Sequence, residues 1–157
     1  MRSSKTDAPT FRIWPPVALG VPLMCGWTLT ATVGDPVMMA HRASQLTGAV
    51  LILMFAIWNG WTLSVMAASR TAILPRGSTN VILRSGPFRV SRNPLYLGLI
   101  ALDVGLALLT PSVWALLFVP LGVAALRWGA VGPEERYLAA KFGADYEAYR
   151  ASVRRWL

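Results

Sequence analysis

The residues with the clearest chemical potential lie in the stretch Ser85–Gly98, which reads SGPFRVSRNPLYLG. Arg89 and Arg92 supply fixed positive charge, and Pro94 suits the first position of a helix because its missing N–H would have no partner there. A helix that begins at this point brings unpaired backbone N–H groups and a positive dipole end close to Arg92 and Asn93. Such a place suits the polar end of an anionic or zwitterionic ligand.

Two adjacent acids, Glu134 and Glu135, directly follow Gly132-Pro133 at the end of a later apolar run. Acids in the first turn of a helix are stabilised by the helix dipole, so capping is a sufficient explanation for them. A carboxylate pair that faces a cationic segment is also able to hold an ammonium group or ribose hydroxyls. The spacing alone leaves both interpretations open.

Asp103 lies inside an apolar stretch, seven residues after Tyr96 and therefore on nearly the same helix face. A carboxyl group within a membrane span costs roughly 2.5–3.5 kcal/mol, and such residues are functional hypotheses by default. The alternative is a structural carboxyl group that is protonated or pairs with Arg127, Asn59 or a tryptophan indole. The candidates for a substrate pocket are Trp58, Trp61, Asp103 and Arg127.

Composition points to an integral membrane protein. Hydrophobic residues make up 55% of the 157 positions, charged residues only 14%, and mean hydropathy is +0.50. The net charge of +8 would also suit nucleic acid, but the basic residues flank apolar runs, where anionic lipid and topology explain them better. A single histidine (His41) and a single cysteine (Cys25) favour neither a metal site nor a disulfide framework.

The elements that must position these residues are four apolar runs, predicted as transmembrane helices at residues 14–33, 44–68, 95–109 and 113–131. The turn at residues 110–112 makes the last two a tight hairpin, and Gly132-Pro133 is expected to break the fourth helix. Residues 134–155 then form an amphipathic tail helix. The prediction is an all-α membrane protein of one domain, with two N-terminal spans in residues 1–68 and the loop, hairpin and tail in residues 69–157.

Orientation follows from the distribution of arginine. The 69–93 loop holds Arg70, Arg76, Arg84, Arg89 and Arg92, whereas the 35–43 loop has only Arg42 and the 110–112 turn has no charge. The positive-inside rule therefore predicts that both termini and the long loop are cytoplasmic. This arrangement brings residues 85–93, here called the cationic turn, and the acids Glu134 and Glu135 to one membrane face. Within the second span, the small residues expected to allow close helix contacts are Gly48, Gly60 and Ser64.

The motifs, taken together, resemble the superfamily of isoprenylcysteine carboxyl methyltransferases and phospholipid methyltransferases. Its pattern is a Gly-Pro-aromatic turn, Arg-His-Pro-x-Tyr-x-Gly, a hydrophobic hairpin, Glu-Glu, and a Phe-Gly…Tyr…Tyr tail. Here the tail reads EERYLAAKFGADYEAYRASVRR, and the resemblance covers about residues 79–155. These are small integral membrane enzymes that use S-adenosylmethionine. A Gly-rich dinucleotide loop is absent from the sequence, which argues against a soluble Rossmann-type methyltransferase.

Carried over by position, the resemblance implies a set of cofactor-binding residues and a set of catalytic residues. The implied cofactor-binding residues are Asn80, Val81, Ile82, Leu83, Phe88, Asn93, Pro94, Leu95, Tyr96, Gly98, Glu134 and Glu135. We assign Arg92, Asn93 and Tyr96 to catalysis. Since a sulfonium already activates its methyl group, such a site needs position and exclusion of water rather than a metal or a covalent nucleophile.

Two positions depart from the superfamily pattern. Asn93 stands where histidine is usual; it keeps hydrogen bonding but cannot carry a proton near neutral pH. Ala130 stands where the prenylcysteine branch has an arginine, and Arg127 lies about one turn earlier. A prenylcysteine substrate is therefore in doubt.

We therefore expect transfer of a methyl group from S-adenosylmethionine to a carboxylate, amine or thiol of a lipid-like or isoprenoid acceptor, at the cytoplasmic face of a bacterial inner membrane. The expected partners are this acceptor and membrane lipids, not nucleic acid. One rival is an NADPH-dependent membrane reductase related to the steroid-reductase group, whose C-terminal half is similar. The other rival is a non-enzymatic scaffold whose arginine loop binds anionic lipid.

Overall fold

The computed structural model describes residues 10–38, 40–69 and 81–157, and all regular elements in these ranges are helical. They are α1 (Pro15–Val33), α2 (His41–Ala68), α3 (Pro94–Leu109), α4 (Val113–Leu126), α5 (Gly132–Phe142) and α6 (Ala144–Ser152), with a short 3-10 turn at Gly86–Arg89. The predicted all-α fold is confirmed for the described residues.

Among the described residues, three helical runs are long and apolar enough to cross a membrane: α1, α2 and the continuous run Val113–Phe142. The third apolar helix, α3, is shorter at 16 residues. Large apolar side chains cover the outside of these helices. Examples are Val21, Met24, Leu53, Met54, Ile57, Leu117 and Leu121, each more than half exposed. An outer surface of this kind suits lipid rather than water, so the chain is an integral membrane protein.

The predicted break at Gly132-Pro133 is wrong, because a π-helical turn at Arg127–Val131 carries α4 directly into α5. Pro133 has no N–H to donate to the carbonyl of Gly129 four residues earlier. That carbonyl instead accepts from the backbone N–H groups of Arg12 (2.8 Å) and Ile13 (3.2 Å). The N-terminal segment thus satisfies the group that proline frees, and the helix continues.

The predicted single tail helix is divided at Gly143, whose φ of +52° is in the left-handed region that favours glycine. The chain therefore turns between α5 and α6. This turn brings Tyr146 and Tyr149 of α6 into buried positions against the rest of the protein.

Helix packing differs from the predicted hairpin. The turn at residues 110–112 joins α3 to α4, but α3 packs mainly along α2 and α4 mainly along α1. Close approach depends on glycine: a Cβ on Gly48 would meet the backbone of Gly105 and Leu109 at 2.6 Å. Gly60, which we also expected at a contact, has no such neighbour within 4 Å.

The two ends of the bundle carry different chemistry. At one end Asp35, just after α1, accepts hydrogen bonds from the Val113 N–H and the Thr30 hydroxyl, each at 3.0 Å, which ties α1 to the start of α4. At the other end the 81–93 segment contacts the tail, since the Arg92 N–H donates to the carbonyl of Arg154 at 3.0 Å. The arginines of the described segment and of the tail therefore lie together.

Candidate functional site

The start of α3 and the start of α5 face each other through one short hydrogen bond. Pro94 and Pro133 occupy early positions of these two helices, where a missing N–H costs least. Tyr96 and Glu134 lie one turn or less further on, and the Tyr96 hydroxyl donates to Glu134 Oε2 at 2.7 Å. The π-helical turn before α5 joins it to α4 in one continuous helix, so the direction of the Glu134 side chain is fixed by that helix.

Beside this contact lies a small cavity of about 90 Å³. Seven of its lining residues were predicted site residues: Val81, Ile82, Leu83, Phe88, Arg92, Asn93 and Glu134. The other lining residues are Met66, Leu138, Tyr146 and Tyr149. Apolar walls with one cationic and one anionic side chain suit a ligand that combines an apolar part with charges of both signs.

Arg92 is the most unusual side chain of this cavity. Only 8% of it is exposed, and its Nε and Nη1 atoms have no hydrogen-bond partner among the described residues. Buried polar groups in proteins are nearly always satisfied, so orphaned donors that line a cavity indicate a place for an acceptor from outside the chain. A planar guanidinium suits a carboxylate in particular.

The residues present therefore fit S-adenosylmethionine by charge. Its amino-acid end carries a carboxylate and an ammonium, and Arg92 and Glu134 supply the matching cation and anion. Phe88, Ile82 and Leu83 supply apolar walls. Asn80, also predicted as a cofactor residue, lies outside the described residues.

Glu135, the second predicted acid, has a different set of contacts. Its carboxylate accepts two hydrogen bonds from Arg155, from Nε at 3.0 Å and from an Nη at 2.7 Å, and lies 3.5 Å from Arg92 Nη1. The bond to Glu135 raises the pKa of the Arg155 guanidinium, which therefore stays protonated over the physiological range. Glu135 thus holds Arg155 and flanks Arg92, whereas Glu134 faces the cavity.

Residues 153–157, here called the C-terminal segment, lie across the cationic turn. The carbonyl of Arg155 accepts from the Ser91 hydroxyl at 3.1 Å and from Asn93 Nδ2 at 3.2 Å. Asn93, which replaces the usual histidine, therefore anchors the C-terminal segment with its amide and also lines the cavity.

Two tail tyrosines that were not among the predicted site residues, Tyr146 and Tyr149, also line the cavity. The Tyr149 hydroxyl donates to the carbonyl of Phe88 at 2.7 Å, and Tyr146 lies beside it with 2% of its surface exposed. Burial raises the pKa of Tyr149 to about 12, so the hydroxyl remains a donor at neutral pH. Their i, i+3 spacing was the available signal, but it equally fits a helix face against the membrane.

A second, larger cavity lies between α2 and α3. It is an apolar groove of about 580 Å³, lined among others by Trp58, Trp61, Leu97 and Gly98. The indole N–H of Trp58 donates to the carbonyl of Pro94 at 2.8 Å, which joins the groove to the first turn of α3. Two predicted substrate residues, Trp58 and Trp61, thus line one groove and pack edge to face at 6.2 Å.

The other two predicted substrate residues lie elsewhere. Asp103 is 5% exposed, its Oδ2 has no hydrogen-bond partner in the described part of the chain, and it lines neither cavity. Arg127 lines a third cavity, together with residues of α4, α5 and the C-terminal segment. Pro94, Leu95, Tyr96 and Gly98 belong to the first turns of α3. Gly98 lines the groove, whereas Pro94, Leu95 and Tyr96 line neither cavity.

Comparison with known families gives one match. A family model described as phospholipid methyltransferase matches residues 43–145, which is more than half of the chain. The matched range includes the cationic turn, α3, α4 and the two acids. No match was found among curated proteins or among solved structures.

Proposed function

The chain belongs to the phospholipid methyltransferase family, and we propose that it transfers a methyl group from S-adenosylmethionine to a lipophilic acceptor at the cytoplasmic face of the membrane. The observation that carries this proposal is the cavity in which Arg92, with orphaned buried donors, and Glu134 line the same walls. S-adenosylmethionine supplies a methyl group activated by a sulfonium.

The residues of the chain bind and orient in this proposal. Arg92 binds the carboxylate of the cofactor's amino-acid end, and Glu134 binds the α-ammonium group of the same end. Tyr96 donates its hydroxyl to Glu134 and so fixes the direction of the carboxylate. Glu135 positions Arg92 and Arg155, and the C-terminal segment that Arg155 anchors excludes water from the site.

The acceptor is proposed to enter sideways from the bilayer, through the groove between α2 and α3. Its lining is almost wholly apolar, and Gly98 and Trp58 connect it to the first turns of α3, close to Tyr96. The family favours a phospholipid amine; a carboxylate or a thiol on an isoprenoid remains a chemical alternative for the same groove.

Acceptor chain length tests this route. Each buried methylene contributes roughly 0.8 kcal/mol, so kcat/KM should rise steeply along a series of acceptors with one head group and growing tails. Turnover measured by mass spectrometry of the methylated product provides the readout. A flat series, or best activity with a short water-soluble acceptor, would exclude lateral entry.

Four crossings are proposed, with α3 as the short third span and both termini in the cytoplasm. At 1.5 Å per residue, a 16-residue helix is about 24 Å long, which is short of a hydrocarbon core of roughly 30 Å and requires local thinning of the bilayer. The segment before Pro94 is polar and basic, which would place it in the headgroup region.

Glu134→Gln tests the cofactor assignment. Loss of a charge-assisted hydrogen bond costs on the order of 1.5–3 kcal/mol, so affinity for S-adenosylmethionine should fall about tenfold or more in calorimetry of the purified protein. Arg92→Gln should weaken binding similarly. The matched control is Glu147→Gln, which changes an exposed acid of α6 that pairs with Arg150 at the surface.

Unchanged affinity in both Glu134→Gln and Arg92→Gln would contradict the assignment. The same titration with NADPH discriminates the reductase, because that rival requires binding of NADPH instead. Binding of neither cofactor would favour the non-enzymatic scaffold.

A further inference from the structure

A third cavity, of about 500 Å³, lies between α4, α5 and the C-terminal segment. It shares no lining residue with the small cavity or with the groove between α2 and α3. The lining residues used in the following argument are Pro120, Val123, Arg127, Trp128, Arg136 and Arg155.

The cavity is strongly cationic. Three guanidinium groups line it, from Arg127, Arg136 and Arg155, and none of the described residues that line it is acidic. Arg155 is paired with Glu135, but Arg127 and Arg136 form no hydrogen bond or ion pair with any described residue. Two free guanidinium groups beside one cavity provide the planar, multiple donors that a phosphate oxygen prefers.

The surroundings of the cavity are those of a membrane interface. Trp128 is 61% exposed, and the Arg12 guanidinium lies 5.0 Å from the centre of its ring. Pro120 and Val123 lie in α4, before Arg127 in the sequence. The wall of the cavity is therefore basic near Arg127 and apolar towards the middle of α4. Tryptophan and arginine at the end of an apolar helix mark headgroup depth.

We propose that this cavity binds the phosphodiester group of an anionic phospholipid, with the acyl chains along Pro120 and Val123. A zwitterionic lipid is disfavoured, because no carboxylate of the described residues lines the cavity to receive its ammonium group and the Trp128 ring already faces Arg12. The bound lipid is neither the methyl donor nor the acceptor in the proposed reaction, so the inference stands independently of it.

Native mass spectrometry of the purified protein, with phosphatidylglycerol or phosphatidylcholine added to the detergent, tests the proposal. The wild-type protein should bind phosphatidylglycerol at least about tenfold more tightly, and Arg127→Gln/Arg136→Gln should remove this preference. The control Arg89→Gln/Arg150→Gln removes the same charge from exposed positions at the same end of the bundle and should keep it. Arg127→Lys/Arg136→Lys should retain part of the preference for phosphatidylglycerol, since lysine keeps the charge but loses the paired N–H donors of the planar guanidinium.

Three results would overturn the proposal. The first is equal binding of the two lipids by the wild-type protein. The second is an equal loss in the control variant, which would indicate general surface charge. The third is displacement of the lipid by millimolar inorganic phosphate, which would indicate a site for the free anion. None of these measurements requires S-adenosylmethionine or turnover.

Discussion

Arg92 and Asp103 are both buried ionisable residues, and their surroundings give them different roles. Arg92 lines the small cavity and lies 3.5 Å from Glu135, so its charge is balanced while two of its donors remain available. Asp103 has an oxygen without a hydrogen-bond partner in the described part of the chain, and it lines none of the three cavities. Among the described residues Asp103 does not pair with Arg127, which was one of the structural alternatives for its carboxyl group.

Asp103→Leu should therefore stabilise the protein. Relief of an unsatisfied buried polar group is worth about 1–3 kcal/mol, which should raise Tm in circular dichroism of the detergent-solubilised protein. Asp103→Asn, which conserves volume but remains polar, should raise Tm less. If both variants lower Tm or abolish methyl transfer, the carboxyl group has a partner or a function of its own.

The helices pair through glycine contacts that bring backbones together. Gly48 of α2 lies against the backbone of Gly105 and Leu109, and Gly26 of α1 lies against that of Ala115. Such contacts tolerate no side chain, because backbone cannot move aside as the end of a flexible side chain can. The same pairing builds the site, since it holds Trp58 of α2 on the first turn of α3.

Gly48→Ala and Gly60→Ala form a matched pair on α2. A Cβ at position 48 would lie 2.6 Å from backbone atoms of α3, so Gly48→Ala should destabilise the protein by about 1–3 kcal/mol. A Cβ at position 60 meets nothing within 4 Å, so Gly60→Ala should be neutral or stabilising by up to about 1 kcal/mol. Thermal unfolding of both variants is the measurement. Equal effects would contradict the close pairing of α2 with α3.

On the scale of the whole molecule, charge is distributed unequally between the two ends. One end of the bundle holds the cationic turn, α6 and the C-terminal segment, and it is rich in arginine. At the other end, near Asp35 and the 110–112 turn, Arg42 is the one arginine among the described residues. A polar cofactor from the cytoplasm therefore meets the small cavity directly if the basic end faces inward.

Cysteine labelling tests this orientation. In a Cys25→Ser background, Met38→Cys should react with a membrane-impermeant reagent added to intact cells, and Arg89→Cys should react only after the membrane is opened. Both positions are exposed, so neither is protected by the fold. The reverse pattern would place the cofactor cavity on the wrong side and contradict the proposed function.

The sequence by itself determined the apolar helices, the position of Pro94 at the start of α3, and a motif whose spacing predicted the family. These features are local: a span depends on a run of apolar residues, and a helix start depends on one proline. The family match confirms that interpretation.

Only the tertiary structure decided which helix faces meet and which acid does what. α1 and α4 are apolar all round, because lipid and protein interior are equally apolar, so their sequence does not reveal the face that packs. Adjacent acids look equivalent in sequence, yet a helix turns each residue by about 100°, and this rotation directs Glu134 to Tyr96 and Glu135 to Arg155. The unbroken helix at Pro133 likewise depends on a distant partner, because the carbonyl of Gly129 is satisfied by Arg12 and Ile13 from the other end of the chain.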